Sequence, residues 1–295
     1  MQSVPADKPS RLQQALGAGL VVVSTICIAI VPSFAKFAFD GGSNTLSIIT
    51  GRGLVSVVIT LILIIALRQS LLIARQTLLI SLAMGIDYAI MLYGYLGAVQ
   101  YLPVSLVILI YFIHPLLVGF VLMFLGDERL TWISIAALLA ALTGLGFVIG
   151  FTAGEINLTG LCLAGLAMLA AAIYIVGNGH AVRQASALTV AFYVMLFAAV
   201  SLGVLFLLFG TVALPTTALS WLGFVGVAIA ATVGTLTFIL GMAYVGAARA
   251  AMVSNLEPVL GVLFAMTVLG EEVTSWQGAG IVLVLASIIT MELWR

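Results

Sequence analysis

Apolar runs of about span length, parted by short polar breaks, recur from one end of the chain to the other. A helix needs about 20 such residues to cross a hydrocarbon core, where only closed backbone hydrogen bonding is tolerated. The pattern predicts spans at 16–38, 44–67, 76–98, 103–125, 132–151, 159–179, 188–209, 219–243, 249–269 and 276–293. The breaks are too short to hold a soluble domain. The expected fold is therefore an all-α integral membrane protein of ten transmembrane helices.

Composition strengthens this reading. Of 295 residues 64% are hydrophobic and 7% charged, against roughly 25% charged in soluble domains. Ten basic and ten acidic residues cancel, which makes no case for a nucleic-acid partner. Cys27 and Cys162 lie inside apolar runs, where a small, weakly polar side chain packs well and a disulfide framework is pointless. The polar stretch Met1–Arg11 leads into the run from Leu16 with no small-residue cleavage site after it. It is read as part of an N-terminal tail, residues 1–15, with the first helix retained.

Orientation follows from the basic residues, which favour the cytoplasmic side. Lys8, Arg11, Arg68, Arg75, Arg129, Arg183, Arg249 and Arg295 fall on one side of a ten-span path. Lys36 and Arg52 are the exceptions, inside or at the edge of spans one and two. Both termini are expected in the cytoplasm, with the chain in the cell (inner) membrane.

An internal repeat organises the spans. Phe124–Trp132 (FLGDERLTW) matches Val268–Trp276 (VLGEEVTSW), and upstream stand His114-Pro115 and Glu257-Pro258. The offset is 143 residues at the prolines and 144 at the acidic loops. Residues 16–151 and 159–295 are then two five-helix units, joined by an external linker at 152–158. Five is odd, so the second unit enters the membrane the other way up. Arg129 accordingly marks the first acidic loop as cytoplasmic, and Val273 replaces it in the second. Inverted repeats are the architecture of secondary transporters, with the substrate site between the halves near the midplane.

The chain resembles the ten-helix EamA-type group of the drug/metabolite transporter superfamily over essentially its whole length. The likeness is carried by Pro32-Ser-Phe-Ala-Lys36, Gly51-Arg52-Gly53, Pro115 with Gly126-Asp-Glu-Arg129, and Pro258 with Gly270-Glu271-Glu272. The second loop departs from the first in lacking its basic residue. The resemblance implies two inverted EamA repeats around a central cavity and secondary transport by alternating access. Exchange or export of small metabolites, amino acids first, is the function implied, the aromatic and other amino-acid exporters (YddG-like) being the nearest branch. A multidrug, cationic-drug or other metabolite transporter of the same fold is the alternative.

Ionisable groups inside spans cost about 2.5–3.5 kcal/mol on insertion scales and are functional candidates by default. His114 lies near the middle of span four, where Pro115 frees the carbonyl of Tyr111; a substrate or proton site and a packed histidine bonded to a freed carbonyl are both open. Glu257, preceded by Ser254 and Asn255 and followed by Pro258, forms the most polar patch of any span. Proton exchange, or a grip on a substrate amino group, competes there with pairing to Arg249, eight residues away and beyond i,i+4 reach. Asp87, Tyr88, Met91 and Tyr95 share one face of span three and suit a cavity lining for amino acids or aromatic cations, as does Tyr111. Arg52 sits roughly 12 Å from its span's end, placed to bind a carboxylate or to bridge to Asp87. Lys36 can snorkel. Pro32, Pro115 and Pro258 are candidate hinges. Trp132 and Trp276 read as interfacial anchors, and the acidic loops as solvated helix ends.

Other classes are poorly served. Polar groups cluster at mid-depth rather than in the continuous rows of a channel. Gly85-Ile-Asp87 has no second intramembrane aspartate to make a protease pair, and His114 with His180 is no metal set. Without a GxxxxGK[ST] loop no nucleotide drives the protein directly. The expected partners are a small-molecule substrate, the lipid bilayer and, as a coupling ion, protons; no enzyme activity, cofactor, metal or nucleic acid is expected.

Overall fold

The computed structural model describes residues 11–114, 157–181, 185–245 and 256–293, with positions 117, 132, 136, 137, 139–141, 143, 144, 147 and 253 besides. Ten helical segments run through them: α1 Arg11–Ala29, α2 Val31–Asp40, α3 Thr45–Ala66, α4 Arg75–Ala98, α5 Val104–Tyr111, α6 Leu158–Ala181, α7 Ala187–Phe209, α8 Ala218–Val245, α9 Glu257–Leu269 and α10 Ser275–Leu293. Six helices among the described residues are long and apolar enough to cross a membrane; α1 and α2 make up one of them, Leu12–Asp40. Much of expected spans four and five lies outside the described residues, including Pro115 and the first acidic loop. The ten-span count and the inverted repeat are therefore proposals, taken up below.

Helix α3 shows which solvent the bundle is built for. Leu54, Val58, Ile62 and Ile65 are exposed, whereas Ser47, Ser56 and Thr60 are buried. A helix in water places these faces the other way round. Inside, the Ser56 hydroxyl meets that of Thr232 on α8 at 2.9 Å, and Thr60 donates to the Ser56 carbonyl. Such cross-helix and back-to-backbone bonds satisfy hydroxyls that hydrocarbon would leave unpaired.

Small residues set the packing. Helix α4 lies between α6 and α7. A side chain at Gly94 would meet the Leu163 carbonyl of α6, and one at Gly85 the Val194 carbonyl of α7. Helix α8 packs along α1, α2 and α3. The two largest buried clusters among the described residues lie one around α5 and its neighbours α6, α9 and α10, and one joining α2, α3, α4, α6, α7 and α8; Tyr95 and Tyr111 border both.

Span one is broken. The helix ends at Ala29 and restarts at Val31, with Pro32 in the first turn of α2. A proline there lacks only an amide that would find no partner within its own helix. Likewise Pro258 falls in the first turn of α9, which opens at Glu257. Val253 is helical and Leu256 keeps helical dihedrals at a single turn residue, so Glu257 opens α9 just past a turn inside the expected span 249–269.

Candidate functional site

The polar groups expected inside spans gather where α3, α4, α5, α6 and α9 approach one another. The Arg52 Nη2 atom on α3 donates to the Tyr88 hydroxyl on α4 at 3.0 Å. The Tyr88 ring leans on Tyr174 of α6, with centroids 5.0 Å apart and planes 30° from parallel. One and two turns along α4, Met91 accepts a weak bond from the Tyr111 hydroxyl, 3.6 Å to sulfur, and Tyr95 packs against the Tyr111 ring at 4.6 Å. Tyr95 and Tyr111 both lie within electrostatic reach of Glu257 and of Arg52, and Tyr111 also of Tyr88 and Tyr174. One basic and one acidic side chain thus lie within electrostatic reach of a common aromatic group, from opposite halves of the sequence.

Arg52 also lines a small cavity of about 10 Å³, room for about one water molecule. Tyr88 and Ser56 share its polar side; Leu92, Met195 and Leu202 form apolar walls. Ala198 and Ala199 complete the lining from α7. Arg52 does not bridge to Asp87: among the described residues the ion pair is Lys36–Asp40, 3.3 Å along α2. Asp87 is half-buried, and its Oδ2 atom is buried without a hydrogen-bond partner among the described residues.

His114 sits 8% exposed beside Tyr111, with Nδ1 2.9 Å from the Tyr111 carbonyl. A carbonyl only accepts, so Nδ1 carries the proton. The amide that would normally fill that carbonyl belongs to residue 115, a proline with none to offer. The histidine therefore takes the place of the missing donor within its own turn. Ser254 and Asn255 lie outside the described residues, as does Pro115.

Residues 158–293 match the EamA-like transporter family. The match covers the second of the two expected repeats, α6 to α10, and points to a membrane transporter of small molecules. No curated protein matches the chain. Among solved structures, one crystal structure superposes with a TM-score of 0.67 over 97% of this chain and 98% of that chain, at 18% identity. At that identity the likeness shows a shared fold. The EamA domain contributes Tyr174 and Glu257 to the cluster, and Arg52, Tyr88, Met91, Tyr95 and Tyr111 come from outside it.

Tyr174 escaped the sequence reading. It is a phenol inside an apolar span, the same signal that marks Tyr88, but no charged neighbour draws attention to it. The sequence pattern alone makes Glu271 a solvated helix end. In the structure its Oε1 accepts from the Val104 amide at 2.6 Å and its Oε2 from the Ser105 amide at 3.1 Å and from the Ser105 hydroxyl. It caps α5 from 166 residues away, a pairing that no local pattern announces.

Proposed function

We propose that the protein is a secondary transporter of ten membrane helices, built as inverted five-helix repeats at 16–151 and 159–295 joined at 152–158. On this reading it exports or exchanges neutral amino acids, aromatic ones included, across the inner membrane, with both termini in the cytoplasm. The observation that carries the reading is the convergence of Arg52 and Glu257 on Tyr95 and Tyr111 inside an apolar bundle. Charges placed inside a membrane protein are costly and characteristically mark a substrate path. A basic and an acidic group suit the two ends of a zwitterion, and the tyrosines near them offer faces to cations and rings.

In the proposed cycle the two halves rock about this cluster, exposing it to one side at a time. Pro32 and Pro258, in the first turns of α2 and α9, are the proposed hinges, and Pro115 with them. Glu257 faces the substrate amino group; Asp87 with its unpartnered oxygen and His114 beside Tyr111 complete the polar surround with Ser254 and Asn255. The test is uptake of radiolabelled amino acids into proteoliposomes, with and without an imposed pH gradient and against empty liposomes. Saturable uptake supports the reading, and its dependence on the gradient would add proton coupling. Absence of uptake by folded protein for every amino acid would overturn the substrate assignment.

A further inference from the structure

We infer that Arg52 is the subsite for the carboxylate of the transported molecule, and that the Tyr88 hydroxyl occupies this subsite while it is empty. The inference rests on the transport reading for the word transported, and on the cavity beside α3 for the rest.

A guanidinium presents five N–H donors in a planar fork suited to a carboxylate. The hydrogen bond that Arg52 makes to another side chain goes to a neutral phenol. A phenol accepts a bond without neutralising the charge. Among the described residues no acidic one lines the cavity, and the ion pair among them lies elsewhere, on α2. The other hydroxyls of the cavity are occupied: Ser56 is bonded to Thr232 at 2.9 Å, and Thr235 donates to the Ala231 carbonyl at 2.9 Å. Arg52 is thus the cavity's strong donor, and the Tyr88 oxygen sits where an incoming carboxylate oxygen would be held.

The chamber also selects among anions. Its single cationic group matches the single charge of a carboxylate better than the double charge of a phosphate monoester. Leu92, Met195 and Leu202 line the cavity beside it, so the class of ligand is a small monocarboxylate, free or as part of an amino acid, whose carboxylate takes the place that the Tyr88 hydroxyl vacates. Stacking of Tyr88 on Tyr174 holds the phenol ring while its hydroxyl yields, which makes Tyr88 a competitor that the substrate displaces.

The test is calorimetric binding to the purified full chain in detergent. The panel holds neutral amino acids, their carboxamides, simple aliphatic monocarboxylates and a phosphate monoester. The wild type is expected to bind at least one carboxylate about tenfold or more above its carboxamide, a difference of about 1.4 kcal/mol. Arg52→Gln should abolish that preference. Tyr88→Phe should keep it and raise carboxylate affinity several-fold, because the competitor is gone. Should Arg52→Gln fail to fold, Arg52→Lys carries the test: it keeps the charge without the fork and should lose several-fold in affinity. Retained preference in folded Arg52→Gln, unchanged affinity in Arg52→Lys, tighter binding of the phosphate monoester, or no binding of any carboxylate by the wild type overturns the subsite. Weaker carboxylate binding in Tyr88→Phe overturns the competitor. Arg52-dependent carboxylate binding without movement across a proteoliposome membrane would defeat the transport reading and leave the subsite standing.

Discussion

The carboxylate of Glu271 accepts a hydrogen bond from the backbone amide of Ser105, 3.1 Å away in space and 166 residues earlier in the chain. The neighbouring Val104 amide completes a two-pronged cap on α5. These are among the amides at a helix start that have no partner within the helix, and Pro103, immediately before them, has no side-chain oxygen to cap with. Removing the carboxylate in Glu271→Ala should cost about 0.5–2 kcal/mol, the usual worth of an N-cap. Glu271→Gln should cost less, since its amide oxygen still accepts. Chemical unfolding in detergent reads both, and an Ala variant as stable as wild type would remove the cap from the account.

Gly270 aims that carboxylate. Its φ of +69° ends α9 in the left-handed region, and the following Glu271 amide bonds back to the Ala265 carbonyl at 3.2 Å. A side chain is disfavoured there by about 1–2 kcal/mol. Gly270→Ala should therefore lower the unfolding midpoint. Combined with Glu271→Ala it should cost less than the sum of the two, because the strained turn and the cap serve one contact. Full additivity would show that they act independently.

Close helix approach makes a second contrast measurable. Gly94→Ala would push a methyl against the Leu163 carbonyl, whereas Gly165→Ala on α6 meets nothing within 4 Å. The first should destabilise by about 1–3 kcal/mol, as overpacking does. The second should be neutral or mildly stabilising, since alanine is the better helix former. Equal effects would mean that α4 and α6 are not packed through Gly94.

For transport, Glu257→Gln should lower the rate of amino-acid uptake by about tenfold or more, equivalent to about 1.4 kcal/mol, while leaving the thermal midpoint near that of wild type. His114→Ala should show the reverse emphasis. It strips the Tyr111 carbonyl of its donor, and a buried group left unsatisfied costs about 1–3 kcal/mol, so stability should fall more than transport. Unchanged uptake in Glu257→Gln would remove that carboxylate from the substrate path.

Tyr174 can be separated from its neighbours. Tyr174→Leu removes the ring against which Tyr88 stacks and should raise the apparent KM several-fold; Tyr174→Phe, which keeps the ring, should leave it near wild type. If the two variants match, stacking is not what Tyr174 contributes.

The apolar runs alone announce that lipid is the solvent, because burying about 20 residues without water admits few backbone solutions. That argument is local, and the helices α3, α4, α6, α7 and α8 appear within a few residues of the predicted spans. Arg52, Tyr88 and Glu257 were equally legible, since a polar group in such a run must be accounted for. What the linear pattern could not contain were the partners. The hydroxyl of Tyr88 rather than the carboxylate of Asp87 receives Arg52, Tyr174 supplies a ring from the other half, and Glu271 reaches back to α5. Each joins residues far apart in sequence. Their meeting depends on how helices rotate and approach, which is set by interhelical packing at positions such as Gly85 and Gly94 and by the turn at Gly270. Periodicity along one helix determines which residues shelter from lipid; only the packed bundle decides which of them touch.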